Sequence, residues 1–219
     1  MTCHAMTPHR ESFEQIIRDL ATLRAAVPGV LESDAAEFQC SAVMTEAEVL
    51  EFERAHAVRL PEEYRAFLMC VGRGGAGPGY GLFDLGECDE GFDFRAWHEG
   101  DGFVGALRLP FPHSAAWNDM RGMPEDALSE TDAAAYEVQR AAFEEGYFAP
   151  LDGAIPICHL GCALRQWLIV SGPEAGHVWE DRRADYEGLV PLQTPAGERA
   201  GFYAWYRGWL DEEMGKLGR

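Results

Sequence analysis

The chain has 219 residues, 47% hydrophobic and 11% aromatic, enough apolar side chain to fill one core, and no apolar run approaches the ~18 residues of a membrane span. Asp and Glu number 37 against 18 Lys and Arg, a formal net charge of −19, which disfavours nucleic-acid phosphate and anionic lipid as partners because so acidic a chain displaces few counterions from phosphate. Six cysteines (Cys3, Cys40, Cys70, Cys88, Cys158 and Cys162) make no dense disulfide framework, and MTCHAMTPHRESFEQ has no signal-peptide core, so a cytoplasmic protein with mostly free thiols is expected.

In chain order, Ser12 and Gln15 form a capping-box pattern before Phe13, Ile16, Ile17, Leu20 and Leu23, an amphipathic helix expected to end near Pro28-Gly29. A connector runs to about Ala42. Thr45 and Glu48 make a second capping box, opening a helix with Val49, Phe52 and His56 on one side. Pro61 then suits a first helical position, and Tyr64, Phe67, Leu68 and Val71 recur at i, i+3, i+4 and i+7, so Leu60 to Val71 reads as a helix buried along one stripe. Gly72 stands where a left-handed helix cap is wanted. Gly74, Gly75, Gly77 and Gly79 follow around Pro78 and predict a sharp turn, after which Tyr80 to Leu85 reads as a strand entering a sheet.

Gly72, Gly74 and Gly77 formally match a dinucleotide-binding G-x-G-x-x-G. That site needs strand, glycines and helix in this order, so that phosphate meets a helix N-terminus; here the helix comes first. The glycines are therefore read as a structural turn.

From Asp84 to Glu145, acidic residues outnumber Arg95, Arg108, Arg121 and Arg140 by eleven, the densest negative charge in the chain. Residues 86–150 show no sustained period, but Phe92, Phe94, Trp97, Phe103, Phe111 and Trp117 argue against disorder. The segment reads as a folded acidic elaboration, with a helix over Ala127 to Phe148 packing through Leu128, Ala135, Tyr136, Val138 and Phe143. After Asp152-Gly153, the runs AIPICHL, LRQWLIV, HVWED and LVPL, separated by Gly-containing turns, predict an antiparallel meander. Phe202, Trp205, Tyr206, Trp209 and Leu210 then mark a helix with a wide aromatic stripe. The expected architecture is α+β. It is a single domain over 1–219 with a central, mainly antiparallel twisted sheet, two helices before the glycine turn, a C-terminal aromatic helix, and residues 1–42 as a helical extension.

Cys158, His159 and Cys162 are the one compact set of potential metal ligands. Zinc wants four, and strand alternation sends Cys158 and His159 to opposite faces, so neither metal nor other cofactor is expected. No Gly-x-Ser-x-Gly elbow and no Cys with a recognisable His and Asn pattern is present, so no catalytic residue is assigned.

Three blocks stand in order: LPEEYRAFL with GRGGAGPGYGL, GAIPICHLGC with WLIVSGPEAGHVWED, and the terminal FYAWYRGWLD. Together they resemble the Smi/Knr type of the SUKH superfamily, over residues 45–85 and 152–211. Bacterial members of that family are typically immunity proteins of polymorphic-toxin systems, and fungal members regulate cell-wall synthesis. The resemblance implies an α+β fold used for binding rather than catalysis, and an acidic surface suits a basic toxin domain, such as a nuclease, whose cleft attracts carboxylates as it does phosphate. Candidate partner-binding residues are Asp84, Glu87, Asp89, Glu90, Asp93 and Trp97, together with Trp179, Glu180 and Asp181, which match the family's late tryptophan with its following acid. For this last trio a core tryptophan with solvated acids is the competing reading. An adaptor binding several host proteins is the second functional reading, and a Cys/His metal or thiol enzyme the third.

Overall fold

The computed structural model describes residues 10–26, 38–90, 93–97 and 104–217. Helix α1 spans Arg10–Ala26 and buries Phe13, Ile16, Leu20 and Leu23, the expected stripe. It begins before Ser12, which therefore lies inside the helix and caps nothing; Pro28-Gly29 falls outside the described residues. Helix α2, Glu46–Ala55, opens on the anticipated box: the Thr45 side chain accepts from the Glu48 amide while the Glu48 carboxylate accepts from the Thr45 amide. Helix α3, Glu62–Cys70, has Pro61 as its N-cap, so it is shorter than the apolar period suggested. The buried Glu53 carboxylate joins the two helices by accepting from the Leu60 amide at 2.8 Å and pairing with Arg65.

The glycine turn works differently from the expectation at its first position. Gly72 is not left-handed; α3 ends at Val71 with an ordinary negative φ. What Gly72 lacks is room, because the 38–44 segment runs alongside, with Ser41 donating to the Gly74 carbonyl and Arg73 to that of Ala42, and a Cβ on Gly72 would stand 2.6 Å from the Cys40 Cβ. Gly75, with φ of +100°, does need its left-handed backbone. The expected strand from Tyr80 to Leu85 is reduced to isolated bridges at Leu82, to Gly75 on one side and Cys158 on the other. Tyr80 and Phe83 still donate to the carbonyls of His159 and Ile157, so the segment follows the sheet edge, but positive φ at Gly79 and Gly81 interrupts a continuous ladder.

The main sheet is the predicted meander: β3 (Ala154–Gly161), β4 (Leu164–Ile169), β5 (Val178–Asp181) and β6 (Leu189–Pro191) pair antiparallel in sequence order. Register puts Trp167 beside Trp179 on one face and Gln166 beside Glu180 on the other. The tryptophan face is covered by the irregular part of the acidic segment, with Phe111 meeting Trp179 edge-on at 5.0 Å. The opposite face is covered by helix α6, Phe202–Leu217, whose Phe202, Trp205, Tyr206 and Leu210 are buried. There the Trp205 indole donates to the Gln166 amide oxygen at 2.9 Å, and the Tyr206 hydroxyl reaches the Ala76 carbonyl in the glycine turn at 2.9 Å. Helix α1 packs against α6 through Phe13 on Tyr203 and an Asp19–Arg207 ion pair of 2.6 Å. The result is one α+β domain.

Two elements of the acidic segment are new. Residues Glu87–Glu90 (β1) and Asp93–Ala96 (β2) form a separate antiparallel hairpin. The single helix expected over Ala127 to Phe148 is two: α4, Asp126–Thr131, and α5, Ala133–Tyr147, broken at Asp132, whose carboxylate accepts from the Ala135 amide and caps α5. Phe143 packs as expected, whereas Val138 points to solvent, because the buried face of α5 runs through Phe143 and Tyr147 and Val138 falls on the other side.

Candidate partner-binding surface

The hairpin collects most of the acidic candidates. Glu87, Asp89 and Glu90 lie on β1 and Asp93 on β2, in the register Glu87 to Ala96, Asp89 to Phe94 and Glu90 to Asp93. Asp84 sits just before it, in a turn where its carbonyl accepts from the Glu87 amide at 2.8 Å. The base of the hairpin closes where the Trp97 amide donates to the Gly86 carbonyl at 3.0 Å. Glu87 is exposed, while Cys88, its neighbour on the other face of the strand, is buried. Trp97 is buried too. Its ring lies edge-on to Phe52 at 6.1 Å and against His56 at 5.3 Å, so this candidate anchors the hairpin on α2 and its ring does not project outward.

Trp179, Glu180 and Asp181 belong to a different support. Trp179 is 0% exposed, held between Phe111 and the Arg199 guanidinium 5.6 Å over its ring. Glu180 faces the α6 side, accepting from Gln166 at 3.1 Å and from Arg182 at 2.6 Å; the same Gln166 accepts from the buried Cys158 thiol. Burial pushes that thiol upward, so it stays protonated at neutral pH. Asp181 is buried and accepts two bonds from the Arg183 guanidinium, at 2.9 and 2.8 Å, and a third from the Arg183 amide at 3.0 Å. The structure thus brings Asp84, Glu87, Asp89, Glu90 and Asp93 together and places the β5 trio inside the sheet's own packing.

Arg183 is the residue that sequence reading missed. Besides Asp181, its guanidinium donates to the carbonyls of Tyr147 and Ala149 at 3.1 and 2.9 Å, where α5 ends. A cation there satisfies helix-end carbonyls and suits the negative end of the dipole. Around the clamp, Tyr186 donates to Glu144 at 2.6 Å, Arg140 to Glu144 at 2.8 Å, and Tyr147 to Asn118 at 2.7 Å. The Tyr186 and Arg140 hydrogen bonds hold the Glu144 carboxyl below the usual carboxylate range. Trp117 stacks on Tyr147 and His113, and burial, helped by Arg183, pushes His113 down. The acidic helices are therefore bolted to the sheet. The sequence signal was present in Asp181-Arg182-Arg183, an acid and a base two residues apart just past a strand end.

On the far side of the glycine turn, Tyr80 is 70% exposed, stacked on His159, and lines a groove of about 710 Å³ together with Phe38 and Trp209. Cys162, exposed in the β3–β4 turn, is well separated in burial from Cys158, and among the described residues no three His, Cys, Asp or Glu side chains are placed to hold a metal ion. No helix among the described residues is long and apolar enough to cross a membrane.

The fold defines an α+β module in which a four-stranded antiparallel sheet is packed by helices. The model of the SMI1/KNR4 family (SUKH-1) matches residues 44–189, two thirds of the chain, and the chain belongs to that family. The match runs through the acidic segment and stops at Leu189, leaving α1 and α6 outside it. Neither a curated protein nor a solved structure matches the chain. At family level the membership defines a toxin-immunity or related module with a protein as its partner.

Proposed function

We propose that this chain is a non-enzymatic immunity protein of the cytoplasm that binds a cognate bacterial toxin domain and keeps it inactive, the toxin being a basic nuclease or nucleic-acid-modifying domain. Family membership carries the reading. The acidic hairpin supports the choice of a basic partner, because Glu87, Asp89, Glu90 and Asp93 fall within its two short strands and Asp84 just before them. Such complementarity raises association rates by steering and suppresses acidic competitors. In this reading Trp97 holds the hairpin on α2, while Trp179, Glu180 and Asp181 serve the packing of the main sheet.

Co-expression with candidate toxin domains, those of any neighbouring genes first, tests it. Survival and a co-purifying complex are expected; no rescue and no complex would sink the idea. A pull-down from the native cell separates the adaptor reading, which calls for several weaker partners in place of a single tight basic one. Reversing charge at Asp89, Glu90 and Asp93 is expected to slow association and flatten its dependence on salt.

A further inference from the structure

We infer that the outward face of α5 is a docking ridge for the basic partner, an assignment that rests on the functional reading above and adds a contact surface to it. Ala134, Glu137, Val138, Ala141 and Glu145 recur at i, i+3, i+4, i+7 and i+11 and are all exposed. Val138, 72% exposed, is the most exposed large apolar side chain among the described residues. Val138 is not part of the buried face of α5, which is held by Phe143, Tyr147, the Tyr186–Glu144 bond and the Arg183 clamp.

Charge specifies what covers it. Glu137 and Glu145 are exposed on this face, Asp126 and Glu130 are exposed on α4, and the one cation of the two helices, Arg140, is already paired with Glu144 on the inner side. The ridge therefore presents a narrow apolar line, low enough for close approach at its alanines, with carboxylates on its flanks. Its complement is a protein face with a shallow apolar hollow rimmed by Arg or Lys, the helix-in-groove mode of recognition. Because α5 is capped by Asp132 at one end and clamped by Arg183 at the other, it meets that face already ordered, with little conformational entropy left to lose.

The test measures affinity for a purified basic candidate toxin domain, with wild-type protein, Val138→Arg, and Ile17→Arg on the exposed side of α1 as a control carrying the same added charge. Wild type is expected to bind, Val138→Arg to bind at least about tenfold more weakly, and Ile17→Arg to stay within about twofold of wild type. Equal affinities for the two variants, with wild-type binding intact, overturn the ridge and leave the functional reading standing. Absence of wild-type binding overturns both. Amide exchange of the wild-type complex gives a readout free of mutation: protection over residues 134–145 is expected, and unchanged exchange there overturns the ridge.

Discussion

Asp181→Ala separates a structural acid from a partner-binding one. The substitution removes a carboxylate whose side chain is 9% exposed and leaves the Arg183 guanidinium, 5% exposed, with backbone carbonyls as its remaining acceptors. Breaking a buried pair from one side costs about 3–5 kcal/mol, because the surviving charge stays desolvated. For a domain of this size each kcal/mol moves the midpoint by roughly 2–4 °C, so a drop on the order of 10 °C is expected in calorimetry, with a matching shift in urea midpoint. Arg183→Met should cost a similar amount, and the double variant should lose about 2 kcal/mol less than the sum of the singles, since it buries no orphan charge. A change under about 0.5 kcal/mol for Asp181→Ala, together with weakened toxin binding, would refute this placement and return Asp181 to the contact surface.

Further outcomes follow from the same geometry. Trp97→Ala should cost about 3–5 kcal/mol by emptying the site against Phe52 and His56, and amide exchange should quicken first in Glu87–Glu90, whose hairpin it anchors. Gly75→Ala should destabilise by about 1–3 kcal/mol in urea unfolding, because a Cβ at φ of +100° is strained and meets the Gln39 carbonyl; a neutral result would mean the 38–44 segment can retreat. Glu144 has its folded-state pKa lowered from 4.5, so its contribution is complete above that value and lost as pH falls through the lower folded value. Near-ultraviolet dichroism of the Tyr147–Tyr186 cluster should show an acid step that Glu144→Gln removes, and an identical step in the variant would assign it to another group.

Local chemistry was the legible part of this chain. The Thr45–Glu48 box lies within one turn of helix, and the meander announces itself because apolar runs are separated by glycine-containing turns. The hairpin was hidden because Glu87–Glu90 and Asp93–Ala96 are mostly polar; their pairing leans on Trp97 reaching α2, a contact that no window of sequence contains. Gly72 misled for a related reason. A glycine after a helix usually serves its own backbone, whereas here it yields space to Cys40, brought alongside by the tertiary fold. Arg183 joins residues 34 and 36 positions away, and Val138 was assigned inward by composition when only the docking of Tyr147 sets the face of α5. Of the candidate surface, the acids were legible as charge, but their division between a hairpin and a helix ridge was not.

The most direct measurement of the central claim is the association rate of this protein with a purified basic candidate toxin domain, followed by stopped flow across a range of ionic strength. A basic partner recognised by the acidic face predicts fast association that falls steeply as salt rises, with a one-to-one complex that abolishes the toxin's activity. A rate indifferent to salt, or a complex in which the toxin stays active, would contradict it.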